Sequence, residues 1–183
     1  MSTNLPNRIK LNDVRLSYPS LFRLTVNPKS PPGTKAKYEA TFILDKDLHT
    51  KEINNLNEQI DILLKEMKVS RDKLQANHFC LKDGDLSNKE EYKNSYIIKA
   101  RTEHKYPIVG KDGKTPVSEN DNIFYGGCYV SSYISLYKYD QYSLGIGANL
   151  NAIQFRKDGP TFNNTMQDIE GAFDPIEDED SLF

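Results

Sequence analysis

Along most of this chain apolar residues recur at every second position, and only once does the interval switch to that of a helix. Such a chain must bury one face of several strands against each other and find room for one helix. Arg8 to Tyr18 alternates, with Ile9 and Leu11 on one side and Val14, Leu16 and Tyr18 continuing one residue out of phase, so Asn12-Asp13 is placed as a bulge. The stretch Asn27-Pro-Lys-Ser-Pro-Pro-Gly33 excludes regular structure. Lys37 to Asp45 forms a second strand, with Tyr38, Ala40, Phe42 and Leu44 on one face. Ile53, Leu56, Ile60, Leu63, Leu64 and Met67 then predict one amphipathic helix over roughly residues 50–68, capped by Asp47 or Thr50 and packed on the sheet.

Residues 82–95 are polar and glycine-punctuated, hence a loop. Ser95 to Pro107 alternates again, with Tyr96, Ile98, Ala100 and Thr102 on one face and Ile97, Lys99, Arg101, Glu103 and Lys105 on the other. After a hydrophilic loop over 110–122 come two long strands, Gly127 to Tyr137 and Leu144 to Arg156, joined near Lys138 to Gln141. The second changes phase near Ala152-Ile153, a further bulge, and Asp158-Gly159 makes a turn. The expected fold is mainly β, a small, partly closed antiparallel barrel with one amphipathic helix inserted between strands. It is expected to occupy residues 1–167, leaving 168–183 as an acidic, disordered tail.

Charge separates these two parts. From Asp168 to Phe183 there are seven acids and no Lys or Arg; without them the chain holds 24 basic against 19 acidic residues, a body of about +5. A basic body with an acidic tail suits a polyanionic partner. No apolar run is long enough for a membrane span and no secretory signal opens the chain, so a cytoplasmic location is expected, with no membrane partner. Cys80 and Cys128 are too few for a disulfide scaffold.

Trp is absent, so 11 Tyr and 8 Phe supply the flat surface. In the strand Gly127 to Tyr137, the even positions Cys128, Val130, Ser132, Ile134 and Leu136 make an ordinary core face. The odd positions carry Tyr129, Tyr133 and Tyr137 separated by serines. Residues i and i+2 of a strand stand about 7 Å apart on one face, a spacing close to that of bases in an extended single strand, and these tyrosines occupy every second such step, about 13 Å apart. A base stacked on an aromatic ring is worth about 1–3 kcal/mol whatever its identity. The competing explanation is that these tyrosines pack under the helix, since Tyr favours strands. Lys99, Arg101 and Lys105, ending at Tyr106, would flank the tyrosines if the two strands are neighbours, and Lys35 and Lys37 extend the track. Such cations give phosphate affinity that falls with salt.

The tail ends in Asp174-Pro-Ile-Glu-Asp-Glu-Asp-Ser-Leu-Phe183. Acids closed by Leu182 and Phe183 suit a basic-rimmed pocket on a partner protein, so Asp174, Glu177, Asp178, Glu179, Asp180, Leu182 and Phe183 are the candidate partner-binding residues.

Several stretches carry a resemblance: Leu16-Ser-Tyr-Pro-Ser-Leu-Phe22, Lys37-Tyr-Glu-Ala-Thr-Phe-Ile-Leu-Asp-Lys46, Leu81-Lys-Asp-Gly-Asp85, Tyr125-Gly-Gly-Cys-Tyr-Val-Ser-Ser-Tyr-Ile134 and Leu150-Asn-Ala-Ile-Gln-Phe-Arg-Lys-Asp-Gly159. With the acidic tail, the chain resembles the phage-encoded OB-fold proteins that bind single-stranded DNA. The resemblance implies sequence-independent coating of single strands in phage replication and recombination. The tail would recruit replication proteins (a polymerase, helicase or primase) and compete with DNA for the basic groove. No enzymatic activity and no cofactor are implied, and a homodimer stays open.

Two other readings remain. Asp83 with Glu103-His-Lys105 loosely fits the carboxylate and lysine set of a Mg²⁺-dependent nuclease. The tyrosine face could instead bind a protein, without nucleic acid. Gly110-Lys-Asp-Gly-Lys-Thr115 fails as a phosphate loop because Ile108 stands where the first glycine is needed. His49, His78, His104 and the two cysteines lack metal-ligand spacing.

Overall fold

The computed structural model describes residues 8–162, with the backbone alone described at Tyr18. The acidic segment 168–183, including every candidate partner-binding residue from Asp174 to Phe183, lies outside the described residues. Among those described, no helix is long and apolar enough to cross a membrane.

The order along the chain is β1 (Arg8–Thr25), β2 (Lys37–Asp45), α1 (Thr50–Met67), β3 (Leu81–Asp83), β4 (Ser95–Thr102), β5 (Ile108–Val109), β6 (Tyr129–Tyr139) and β7 (Gly145–Lys157). The strands hydrogen-bond in the order β3-β4-β2-β1-β6-β7-β5, and a parallel pairing of Arg101 with Asn149 joins β4 to β7. That pairing closes β1, β2, β4, β7 and β6 into a five-stranded barrel, the mainly-β, OB-fold-like class with one inserted helix. Closure removes the open edges that a five-strand sheet would expose.

Both expected bulges form. Leu11 pairs with Ser132 and Val14 with Val130, so β1 carries one residue more than β6 between these pairs. The extra residue is absorbed at Asn12-Asp13, where Asp13 takes φ 48°, a conformation Asp tolerates better than most residues. In β7, Ala152 pairs with Tyr133 but Leu150 with Ile134, so Asn151 is the bulged residue. β1 runs seven residues beyond Tyr18, because the register with β2 shifts between Ser17 and Ser20 and so accommodates Pro19.

Phe42, Leu11, Leu16, Leu44, Leu56, Ile60, Ile98, Ile134, Leu150 and Ile153 fill the barrel. The apolar stripe of α1 joins this core through Ile53, Leu56, Ile60, Leu63 and Leu64 and packs chiefly against β1 and β6. Each such side chain contributes roughly 1.5–3 kcal/mol of burial. The N-terminus of the helix is built differently from the expectation. His49 is the cap residue and makes no side-chain cap bond. Instead the Asp45 carboxylate accepts from the amides of Asp47 and Leu48 at 2.8 and 3.0 Å.

The 82–95 loop is more ordered than its composition suggests. After β3 it makes 3₁₀ turns at Gly84–Leu86 and Glu90–Tyr92. Lys46 Nζ bridges Asp83 at 2.8 Å and Asp85 at 2.5 Å, and Asp85 accepts from the Asn94 amide at 2.7 Å. Asp83-Gly84-Asp85 is therefore a clamp on the loop. A Cβ at residue 84 would collide with the Tyr92 carbonyl, so Gly is required there.

Candidate nucleic-acid interface

Along β6 the alternation fixes two faces. Val130 and Ile134 are fully buried in the barrel, whereas Tyr133 and Tyr137 are 42% and 37% exposed on its outside. The helix does not cover them, since it packs on the core side. The row also extends one step beyond Tyr137, to Tyr139. Tyr137 and Tyr139 stand opposite Gly147 and Gly145 of β7. Their rings lie across these glycines, where any Cβ would overlap them. Ring over glycine leads both side chains toward β4, with their centroids 6.3 Å apart. Partial burial raises the pKa of both phenols above the ordinary tyrosine value.

On the far side of β7 stand Lys99 and Arg101. A hollow of about 450 Å³ is lined by Lys82, Lys99, Arg101, Tyr137 and Tyr139, with Cys80 in its wall. Burial pushes the Cys80 thiol up to about 12. Arg101 also lines a second hollow of about 290 Å³, formed with Lys35, Lys37, Glu39 and the loop that follows β1. Arg101 lines both hollows of this groove.

Carboxylates already engage these cations. Glu39 lies 3.1 Å from Lys99 Nζ and 2.6 Å from Arg101 Nε, and Glu103 lies 3.4 Å from Lys35 and 4.0 Å from Lys37. Sequence reasoning misses Glu39. It pairs with Arg101 across β2 and β4, and strand register is not visible in local sequence. Phosphate entering the groove has to displace or share these partners.

The tyrosine row and the cation strand are not neighbours, so the condition for Lys99, Arg101 and Lys105 to flank the whole row is not met; β7 lies between them. Lys99 and Arg101 therefore meet only the Tyr137 end of the row. Tyr133 faces Lys10 of β1, and Tyr129 lies under Lys157 at 4.6 Å and near Arg15 at 5.7 Å. Tyr129 is also sheltered by the chain beyond β7, where Gly159 packs on its ring. Lys105 is exposed past the end of β4. Tyr106 is committed to packing: its hydroxyl donates to the Leu21 carbonyl at 3.0 Å and its ring meets Tyr38 edge-on at 5.7 Å. Burial raises its pKa well above the usual range.

The nuclease reading fails on placement. Asp83 is opposite Tyr96 at the start of β4, whereas Glu103 follows its end, roughly 20 Å away at strand rise. Asp83 is paired with Lys46 and Glu103 with Lys35, so the three residues form no common site for Mg²⁺. Among the described residues no cluster of His, Cys, Asp and Glu could hold a metal ion.

The chain is similar to known phage proteins over nearly its whole length. A family model described as Enterobacter phage Enc34, ssDNA-binding protein, matches residues 7–183. Protein p50 of Acyrthosiphon pisum secondary endosymbiont phage 1 is 32% identical over 164 residues, which is 85% of this chain and 86% of that protein. The solved single-stranded DNA-binding protein of bacteriophage Enc34 in complex with ssDNA is 30% identical, with a TM-score of 0.75 over 85% of this chain and 89% of its own. Gp2.5, a single-stranded DNA-binding protein encoded by bacteriophage T7, shares the fold at a TM-score of 0.54 and 10% identity, covering 91% of this chain and 94% of its own. Since the family model spans all but the first six residues, this chain belongs to the family of the Enterobacter phage Enc34 single-stranded DNA-binding protein.

Proposed function

We propose that this protein binds single-stranded DNA without sequence preference and acts by binding alone. The observation that carries the reading is the hollow lined by both Arg101 and Tyr137, a guanidinium for phosphate and a ring for bases. The similar Enc34 protein was solved with ssDNA bound, which supports the same ligand here. Lys35, Lys37, Lys99 and Lys82 extend the positive track, and Tyr139 adds a second ring. Stacking is indifferent to base identity, and a groove built of cationic and aromatic side chains favours coating over recognition.

In this reading the protein coats exposed strands during phage DNA replication and recombination in the host cytoplasm. The acidic residues Asp174 to Asp180 with Leu182 and Phe183 recruit a replication protein such as a polymerase, helicase or primase. As a polyanion on the same chain, the tail also competes with DNA for the positive surface of the barrel, most strongly at low salt. Labelled oligo-dT and duplex titrated at two salt concentrations test the reading. Binding of the single strand that weakens with salt, with little duplex binding, is expected. A salt-insensitive complex, no single-strand binding, or Mg²⁺-dependent cleavage of the oligonucleotide would refute it.

A further inference from the structure

The outer face of β1 and β6 repeats the pairing of ring and cation away from the groove. Lys10 stands directly opposite Tyr133, and its ammonium lies 5.9 Å from the ring centroid. Arg8 stands opposite Ser135, one step closer to Tyr137. Among the described residues neither Arg8 nor Lys10 has a carboxylate within ion-pair distance, whereas Glu39 and Glu103 occupy four of the groove's cations. Charge without an ion pair among the described residues therefore lies on this face as well as at Lys82 of the groove. The face also has depth: Arg8, Ile9, Lys10 and Asn12 form one wall of a hollow of about 440 Å³ whose other wall is α1. The helix contributes Lys51 and two carboxylates, Glu52, which accepts from Asn12 Nδ2 at 3.3 Å, and Glu58.

We propose that this face is a second segment of the DNA path. A strand leaving the groove at Tyr137 continues along β6, stacks a base on Tyr133 and lays its phosphates against Arg8 and Lys10, so that it wraps the barrel. The inference rests on the single-strand-binding reading above and adds residues and length to it. Continuity is built in, because Tyr133 and Tyr137 share one strand and one face, about 13 Å apart at strand rise. Both rings are exposed. The path ends before Tyr129. There Arg15 is held by the carbonyls of Gly127 and Pro160 and carries the Phe162 ring at 4.3 Å, and Tyr129 is covered by Gly159. Sites of about 4–16 nucleotides per barrel are known for this architecture, and a wrapped path predicts a value in the upper half of that range.

The test compares the full chain with Lys10→Gln, Tyr133→Ala and Arg101→Gln on oligo-dT of about 6 and about 16 nucleotides by fluorescence anisotropy. Tyr133→Ala is expected to weaken the long oligonucleotide about five- to a hundredfold and Lys10→Gln several-fold, and both to leave the short one unchanged. Lys10→Gln should also flatten the log–log salt dependence on the long one by about 0.7. Equal losses at both lengths, or no loss on the long one, overturn the second segment. Lys10 is exposed, so its variant remains informative if Tyr133→Ala proves unstable. Arg101→Gln separates the two ideas: it should weaken both lengths, and unchanged short-oligonucleotide binding would count against the groove itself.

Discussion

The ring of Tyr137 lies across Gly147, its register partner on β7, so that a β-carbon at residue 147 would occupy the same space as the ring. Gly147 does not take a positive φ, so what it supplies is room. A larger side chain there must push the far end of a tyrosine, which can swing outward without disturbing the barrel. Gly147→Val is therefore expected to lower affinity for oligo-dT by about one stacked base, roughly 1–3 kcal/mol, with a small change in melting temperature. Unchanged affinity would mean that Tyr137 does not stack on DNA.

Glu39 holds two groove cations at once, Lys99 at 3.1 Å and Arg101 at 2.6 Å. Such partly exposed pairs contribute little to stability, of order 1 kcal/mol or less. They do lower the field that phosphate meets. Glu39→Gln should tighten single-strand binding several-fold at low salt and steepen its log–log salt slope by about 0.7 for each further phosphate neutralised. Isotherms at several salt concentrations would read this out, and a flatter slope would contradict it.

The β1 bulge sets which residues share the outer face. Asp13 sits at φ 48° and its carboxylate accepts from Arg156 at 2.8 Å. Asp13→Val places a β-branched side chain in a left-handed conformation and should cost about 1–3 kcal/mol in urea unfolding. Asp13→Asn keeps the conformational tolerance, removes only a surface ion pair, and should cost under about 1 kcal/mol. Similar losses for both variants would show that the pair, rather than the backbone, is what matters.

Cys80 gives a pH prediction. Its thiol is pushed from the ordinary 9.0 to about 12 by burial, so the folded state keeps a proton that the unfolded state releases. The stability this contributes is fully present below about pH 9 and is lost as pH rises toward 12. Cys128 is raised for the same reason and adds in the same direction. Urea midpoints of the protein should fall between about pH 8 and pH 10, and Cys80→Ala should show a shallower fall. Parallel pH dependences in the two proteins would remove Cys80 as a source. Iodoacetamide should also label Cys80 slowly at about pH 8, and more slowly with oligo-dT bound in the groove whose wall it forms.

Hydrophobic period alone located β2 at Lys37–Asp45, the helix within a residue of its ends, the two long strands within two residues and the first bulge at Asn12-Asp13. It also put Tyr133 and Tyr137 on the outside, because a period of two assigns each side chain to a face with no knowledge of the neighbours. The same odd positions, carried one step past Tyr137, lead to Tyr139.

Which strands adjoin, and in what register, came only from the closed barrel. Closure through Arg101 and Asn149, 48 residues apart in sequence, inserts β7 between the cation strand and the tyrosine strand. It brings Lys99 and Arg101 to Tyr137, leaves Tyr133 to Lys10, and seats Glu39 between the two groove cations. Periodicity is a local property set by backbone geometry, so the sequence carries it openly. Pairing depends on how distant strands share one core and complete each other's hydrogen bonds, and that is decided when the barrel shuts.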